Sequence, residues 1–481
     1  MTAATTVCES GQVCGISVGT DVSAFLGLPY AAPPVGSLRW RPPEKPASWS
    51  GVREANSFGP DPIQPAGLRT SRAPGMSEDC LYLNVWMPRQ RQEGGWPVMV
   101  WSCGGAFTMG SGAFVEEDPA KLAARGAVIV TFNIRLNIFG FLAHPALSAE
   151  SPHASSGNYG LLDQAEAFAW IRRNIASFGG DPDRVTFFGQ SAGATVGMLL
   201  LSSPMITRLP YDRAIFQSPG SFSALLPLEE AEQHGAPLGD TTEEIRSVDA
   251  DQLLGRARQL PAVQPSLWLA RPLRPIADGW VIPSTEPMTS GHFRPVPAII
   301  GINEDEGAFF GPRMNVRTTD DYVRFVTGIF GDDSIEALER YPVASDEDVP
   351  AMFSAVYGDR GFTYPIDELA RAFVGGGADV YRYVYAYRHG AIGRAPTHSE
   401  EIGVLLDNMP HTQPEDAAMA EQMANYWLAF AEAGDPNHAG AVNWPRLDTA
   451  TGQYLRLDCP LTQGAHWRSE FARFVAENRA D

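Results

Sequence analysis

The pentapeptide Gly189-Gln190-Ser191-Ala192-Gly193 lies between Val185-Thr186-Phe187-Phe188 and a small-residue run from Ala192 to Leu201. The first run, β-branched and aromatic, predicts a strand; the second predicts a helix. In that setting G-x-S-x-G is a strained strand-to-helix turn that presents one serine hydroxyl to an open site. Glycines flank it because backbone crowds backbone there and a Cβ would clash. Gly15-Ile16-Ser17-Val18-Gly19 also matches, but no helix-forming run follows Ser17. It reads as a turn between N-terminal strands.

Outward from the pentapeptide, the pattern is strand, helix, strand. Leu161, Ala165, Phe168, Ile171, Ile175 and Phe178 recur at spacings of three and four, which places them on one face of a helix over 161–178. Gly179-Gly180-Asp181-Pro182 stops that helix. Leu81 to Trp86, Val98 to Trp101 and Val128 to Phe132 predict strands, the last two buried on both faces. Ala214 to Gln217, Val296 to Ile302 and Tyr381 to Tyr387 predict more. Tyr381, Tyr383, Tyr385 and Tyr387 alternate, as one face of a sheet does. Short turns between such elements give an α/β fold with a large, mainly parallel sheet flanked by helices. The prolines of 28–36 predict extended chain over the body of the protein. The least patterned stretch, 221–275, is read as a helical cap over the site.

The 481 residues contain no Gly/Ser tract, Pro-rich tract, charge block or visible repeat, so a single domain over 1–481 is expected. Lys and Arg number 36 and Asp and Glu 56, a formal net charge of −20. That balance argues against nucleic acid and anionic membranes as partners, because neutralising phosphate needs Lys and Arg. A small molecule is the expected partner; oligomeric state is left open. Met1 to Gly15 lacks the basic and apolar regions of a signal peptide, and no run of about 18 apolar residues occurs. With an odd set of cysteines (Cys8, Cys14, Cys80, Cys103, Cys459), a cytoplasmic location with reduced thiols is expected.

Ester cleavage by a serine needs a base for the hydroxyl proton, a carboxylate to orient the base, and amide donors for the oxyanion. Ser102-Cys103-Gly104-Gly105-Ala106-Phe107 follows the 98–101 strand, where an oxyanion loop belongs. Its small residues leave backbone N–H groups unobstructed. Gly105 and Ala106 are the candidate donors, with Ala192, after the nucleophile, as the third. The histidines that could follow an acid in chain order are His389, His398, His411, His438 and His466. There is no H-E-x-x-H, C-x-x-C, P-loop, or G-x-G-x-x-G after a strand, so neither metal hydrolysis nor nucleotide chemistry is indicated. No cofactor and no metal are expected.

The chain resembles the type-B carboxylesterases, which include para-nitrobenzyl esterases and cholinesterases and have the α/β-hydrolase fold. The resemblance is carried by Gly27 to Gly36, Ser77-Glu78-Asp79-Cys80-Leu81-Tyr82-Leu83-Asn84-Val85, Asn158 to Gln164, Phe178 to Pro182, the serine turn, Gly434-Asp435-Pro436-Asn437 and Trp444-Pro445. It implies Glu306 as the acid, with Glu304 and Asp305 as solvated loop charges. It implies His398 as the base, in Thr397-His398-Ser399-Glu400-Glu401-Ile402, with His389 as the competitor. Ser218 resembles a hydroxyl near the family's histidine.

Several positions depart from the family pattern. Cys103 precedes the oxyanion glycines where His or an aromatic is usual, which leaves either a modifiable sulfur beside Gly104 or an inert buried one. Gln190 precedes the nucleophile where Glu is common, which weakens attraction for cations. Pro62 stands where a disulfide partner for Cys80 is expected, and no Trp lies between 61 and 79. Ser399 replaces the usual Gly. The expected activity is hydrolysis of neutral carboxylic esters through an acyl-enzyme on Ser191, His398 and Glu306. An acyltransferase or thioesterase would use the same acyl-enzyme, and an adhesion-type member would keep the fold without activity.

Overall fold

Along Trp96–Ser102, Val98 and Val100 enter one hydrophobic core, and Met99 and Trp101 another. Phe187 and Phe188 divide in the same way. Successive side chains of a strand point to opposite faces, so both faces of this sheet are covered. A computed structural model describes residues 4–67, 69–220, 225–260 and 273–478.

Its strands are β1 (Thr5–Cys8), β2 (Gly11–Cys14), β3 (Ile16–Val18), β4 (Val22–Pro29), β5 (Val52–Glu54), β6 (Tyr82–Pro88), β7 (Trp96–Ser102), β8 (Val128–Phe132), β9 (Gly180–Gln190), β10 (Arg213–Gln217), β11 (Ala298–Asn303), β12 (Val380–Tyr385), β13 (Gln453–Leu457) and β14 (Thr462–Ala465). Among the described residues, eleven form one sheet in the order β14-β13-β12-β11-β10-β9-β7-β8-β6-β4-β3. From β13 to β8 every neighbouring pair is parallel; the pairs toward each edge are antiparallel. This is the large mixed sheet of the α/β-hydrolase fold. A second small sheet joins β1, β2 and β5.

One face packs on the helix Tyr159–Asn174, which continues as a 3₁₀ turn, Ile175–Phe178, and ends where Gly179 turns left-handed at φ 78°. All of the expected helix face is buried except Ala165, which is half-buried. The other face packs on Pro414–Ala433, whose Met419, Met423, Trp427 and Phe430 meet Tyr381, Tyr383 and Tyr385. The alternating tyrosines are therefore core. Ser17 does not lie in a turn. It sits inside β3, opposite Ser23, because Ile16 and Val18 extend the sheet edge. In the β1–β2 hairpin, Cys8 faces Gly11 and Cys14 faces Thr5 at the opposite end, and both thiols are free.

Register places the working ends together. Ser102 aligns with Gly189, Gln190 with Gln217, Gln217 with Gly301, and Asn303 with Tyr385. The loops after β7, β9, β10, β11 and β12 thus leave the carboxyl edge of adjacent parallel strands, where α/β proteins assemble their sites. Of 221–275, the part 225–260 holds three short helices, Leu228–Gly235, Thr242–Ser247 and Ala250–Ala257, while 221–224 and 261–272 lie outside the described residues. No helix among the described residues is long and apolar enough to cross a membrane.

Candidate active site

Ser191 stands between β9 and the helix Ala192–Leu200, capping the helix with φ 53° and ψ −127°. A non-glycine residue holds that conformation only when its surroundings impose it. Here its N–H donates to Gln217 O at 2.9 Å, and its own carbonyl accepts from Thr195 N at 3.0 Å. The flanking glycine is obligatory: a Cβ on Gly193 would lie 2.3 Å from Ser102 O and 2.5 Å from Cys103 O. The loop after β7 therefore lies directly against the serine turn. A Cβ on Gly104 would likewise come within 3.0 Å of Ser191 Cβ.

That loop turns at Gly105 (φ 140°), Ala106 (φ 53°) and Phe107 (φ 62°). Among the described residues, the N–H groups of Gly105, Ala106 and Ala192 have no hydrogen-bond acceptor. Gly105 and Ala192 line a small cavity together with Cys103, Phe107, Met109, Ile134 and Val196. Ser191 is half-buried, whereas Gln190 is buried.

Glu306 follows β11 and His398 follows β12; both are buried. His398 Nδ1 lies 2.6 Å from Glu306 Oε2. The other carboxylate oxygen, Oε1, accepts from Ser218 Oγ at 2.5 Å and from Asn303 N–H at 2.7 Å. A carboxylate only accepts, so Nδ1 carries the proton and Nε2 is left as an acceptor. Gln190 Nε2, which can only donate, lies 3.0 Å from that nitrogen. The imidazole is walled by Phe309, Phe310 and Phe362, with ring centroids 5.6, 5.2 and 4.7 Å away.

The structure thus joins His398 to Glu306, and Gln190 to His398. Among the described residues no hydrogen bond joins the Ser191 hydroxyl to His398. Ser218, expected near the histidine, donates to the carboxylate that holds it. His389 belongs elsewhere: its Nε2 lies 3.6 Å from Asp416 Oδ1, and its Nδ1 accepts from Ala391 N–H. Glu304 and Asp305 are half-buried and partnered rather than solvated. Glu304 pairs with Arg388 and Arg456, and Asp305 accepts from Ser354 Oγ.

Cys103 Sγ accepts from Ser111 N–H at 3.2 Å. The residue as a whole is half-buried. Burial, reinforced by the charge of Glu117, pushes the thiol up to about 12. A thiol so protonated is a poor nucleophile, which favours the inert reading.

Sequence reasoning missed a second carboxyl behind the first. Glu401 is fully buried, accepting from Gln217 Nε2 at 3.1 Å and from Asn303 Nδ2 at 2.6 Å. Burial, and then the neighbouring charge of Glu306, push it up to about 7. The Glu401-Ile402 dipeptide was visible as a family match. That Asn303 ties both carboxyls together was not, since nothing in an asparagine at a strand end announces it.

Residues 2–475 match the family model described as "Carboxylesterase family". The chain is 43% identical over 456 residues to the fumonisin B1 esterase of Sphingopyxis macrogoltabida, covering 92% of this chain and 84% of that protein. It is 32% identical to the para-nitrobenzyl esterase of Bacillus subtilis (strain 168), covering 94% of each. A solved structure of PNB esterase superposes with a TM-score of 0.84 at 31% identity, over 98% of this chain and 99% of that one. The chain belongs to the carboxylesterase family. Its activity is that of a carboxylic ester hydrolase, which sets the adhesion-type alternative aside.

Proposed function

We propose that the chain hydrolyses neutral carboxylic esters through an acyl-enzyme on Ser191, with His398 as general base and Glu306 as the carboxylate that orients it. The observation that carries this reading is the 2.6 Å contact between His398 Nδ1 and Glu306 Oε2, with Nε2 left as acceptor beside the residue that precedes Ser191. In the reaction the Ser191 hydroxyl takes the place of the Gln190 amide at Nε2. Its oxygen attacks the ester carbonyl as the proton passes to His398. The oxyanion is held by the N–H groups of Gly105, Ala106 and Ala192. His398 then protonates the leaving alcohol, and water activated by the same nitrogen releases the acid.

The net charge of −20 bears on how fast charged esters approach and does not by itself select a substrate. Fumonisin B1 stands first among substrates to test, because the relative named for it shares 43% identity over 92% of this chain. The test is titration with an organophosphonate, followed by peptide mapping. A single adduct on Ser191 with proportional loss of p-nitrophenyl ester turnover is expected, and Ser191→Ala should lose about 10⁴-fold or more in kcat. Labelling at another residue, or turnover surviving in Ser191→Ala, rejects the mechanism. Added alcohols that divert the acyl group faster than water would identify a transferase instead.

A further inference from the structure

The segment 61–64, which contains the Pro62 that stands in place of a disulfide partner for Cys80, packs against the turn after β7. Gln64 is only 6% exposed, and its carboxamide is spent on backbone. Its Nε2 donates to Gly110 O at 2.9 Å and to Pro62 O at 3.1 Å, and its Oε1 accepts from Gly110 N–H at 3.0 Å. It thus pairs with both polar groups of Gly110, as a neighbouring strand would, and leaves neither buried group unsatisfied.

Asn137 fastens the same segment at a second point. Its N–H donates to Phe107 O at 2.7 Å, and its Nδ2 donates to Ile63 O at 2.7 Å. Ser111 Oγ donates to the Asp61 carboxylate. Inside the turn, Thr108 N–H and Met109 N–H both donate to Gly105 O, at 3.0 and 3.1 Å. The turn is therefore closed on itself and pinned from outside at 107, 110 and 111. Ala106 and Phe107 hold positive φ within it, a conformation disfavoured for residues with a Cβ. Left unpinned, the turn would relax toward ordinary backbone angles and carry its N–H groups with it.

We infer that Gln64 is a positioning residue for the oxyanion hole, a polar clamp that holds the turn after β7 from a segment lacking the disulfide that Cys80 would otherwise make. The inference rests on the reading of Gly105 and Ala106 as oxyanion donors. Loosening the clamp misaims those donors, which matters more to the tetrahedral transition state than to the bound ester.

Gln64→Met keeps the length and removes the hydrogen bonds. It should lower kcat 10- to 100-fold, a fraction of the 10²–10³ that follows outright loss of a donor, with KM within about threefold. The Ki of an aryl trifluoromethyl ketone, whose serine adduct bears the oxyanion, should rise by the same factor. Tyr322→Phe, which removes a 2.8 Å bond to Tyr341 O in the helix Thr319–Phe330, controls for general destabilisation and should leave both constants unchanged. The clamp is overturned if Gln64→Met has wild-type kcat, if kcat and ketone affinity do not move together, or if the control falls equally. Should the variant not fold, amide exchange on the wild-type chain still decides: the amides of 108–112, which donate hydrogen bonds in the structure, should exchange as slowly as sheet, and their exchange within seconds rejects the idea. Turnover surviving in Ser191→Ala overturns the mechanism and the clamp together. Loss there, with wild-type behaviour in Gln64→Met, removes the clamp alone.

Discussion

Replacing Glu306 with glutamine tests the orienting carboxylate by inverting it. In the native site Oε1 takes two donors, Ser218 Oγ at 2.5 Å and Asn303 N–H at 2.7 Å. A glutamine keeps both only if its carbonyl oxygen takes the Oε1 position. Its NH₂ then faces His398 Nδ1, which lies 2.6 Å from Oε2 in the native protein. That nitrogen must become the acceptor, so the proton moves to Nε2, and the imidazole can no longer take a proton from Ser191. Flipping the amide restores the working tautomer but turns NH₂ toward the fixed Asn303 N–H. Stranding that buried donor costs about 1–3 kcal/mol, and losing the charge-assisted bond to the imidazole costs about 1.5–3 more. Together they raise the barrier by roughly 3–6 kcal/mol, about 10²- to 10⁴-fold in kcat, and the wrong tautomer alone is worth about 10⁴ in a serine protease triad. The assay is p-nitrophenyl acetate turnover with ¹⁵N NMR of the imidazole nitrogens. Expected are intact thermal unfolding, the collapsed rate, and Nε2 appearing protonated. Turnover within tenfold of wild type, with Nε2 protonated, would refute the reasoning.

Three further outcomes are expected. Glu401 binds its proton more tightly in the folded protein (about 7) than in the unfolded chain, where it has its ordinary value of 4.5. Its contribution is therefore full below about 4.5 and lost as pH rises through 7, by up to about 3 kcal/mol; Glu401→Gln should flatten that decline in urea unfolding measured at pH 5 and pH 8. Iodoacetamide at neutral pH should neither alkylate Cys103 nor slow turnover, read by peptide mass and residual activity, because the thiol stays protonated. Gln190→Glu should raise kcat/KM for a cationic ester relative to a neutral isostere by at least about fivefold, since roughly 1 kcal/mol at water-like screening is the least attraction a charge at this buried position would exert; an unchanged ratio removes charge at 190 as a selectivity factor.

The local sequence by itself determined the scaffold. Val98 to Trp101, Val128 to Phe132 and the face from Leu161 to Phe178 carry their periodicity in consecutive residues, and all form elements within a few residues of the expected bounds. The serine turn was equally legible, because its glycines answer to local crowding. Ser17 was misplaced because strand pairing with Ser23, a contact between chain segments, decides whether such a stretch bends or extends. The same limit governs the site. Glu306, Asn303, Ser218, Glu401 and His398 lie at the end of β11 or in the segments that follow β10, β11 and β12, and their hydrogen bonds depend on the register of those strands. Gln190 at the histidine and Gln64 at Gly110 were visible only as residue types. What each carboxamide binds is set by which backbone and which ring the folded sheet brings within 3 Å, and linear spacing carries no record of that.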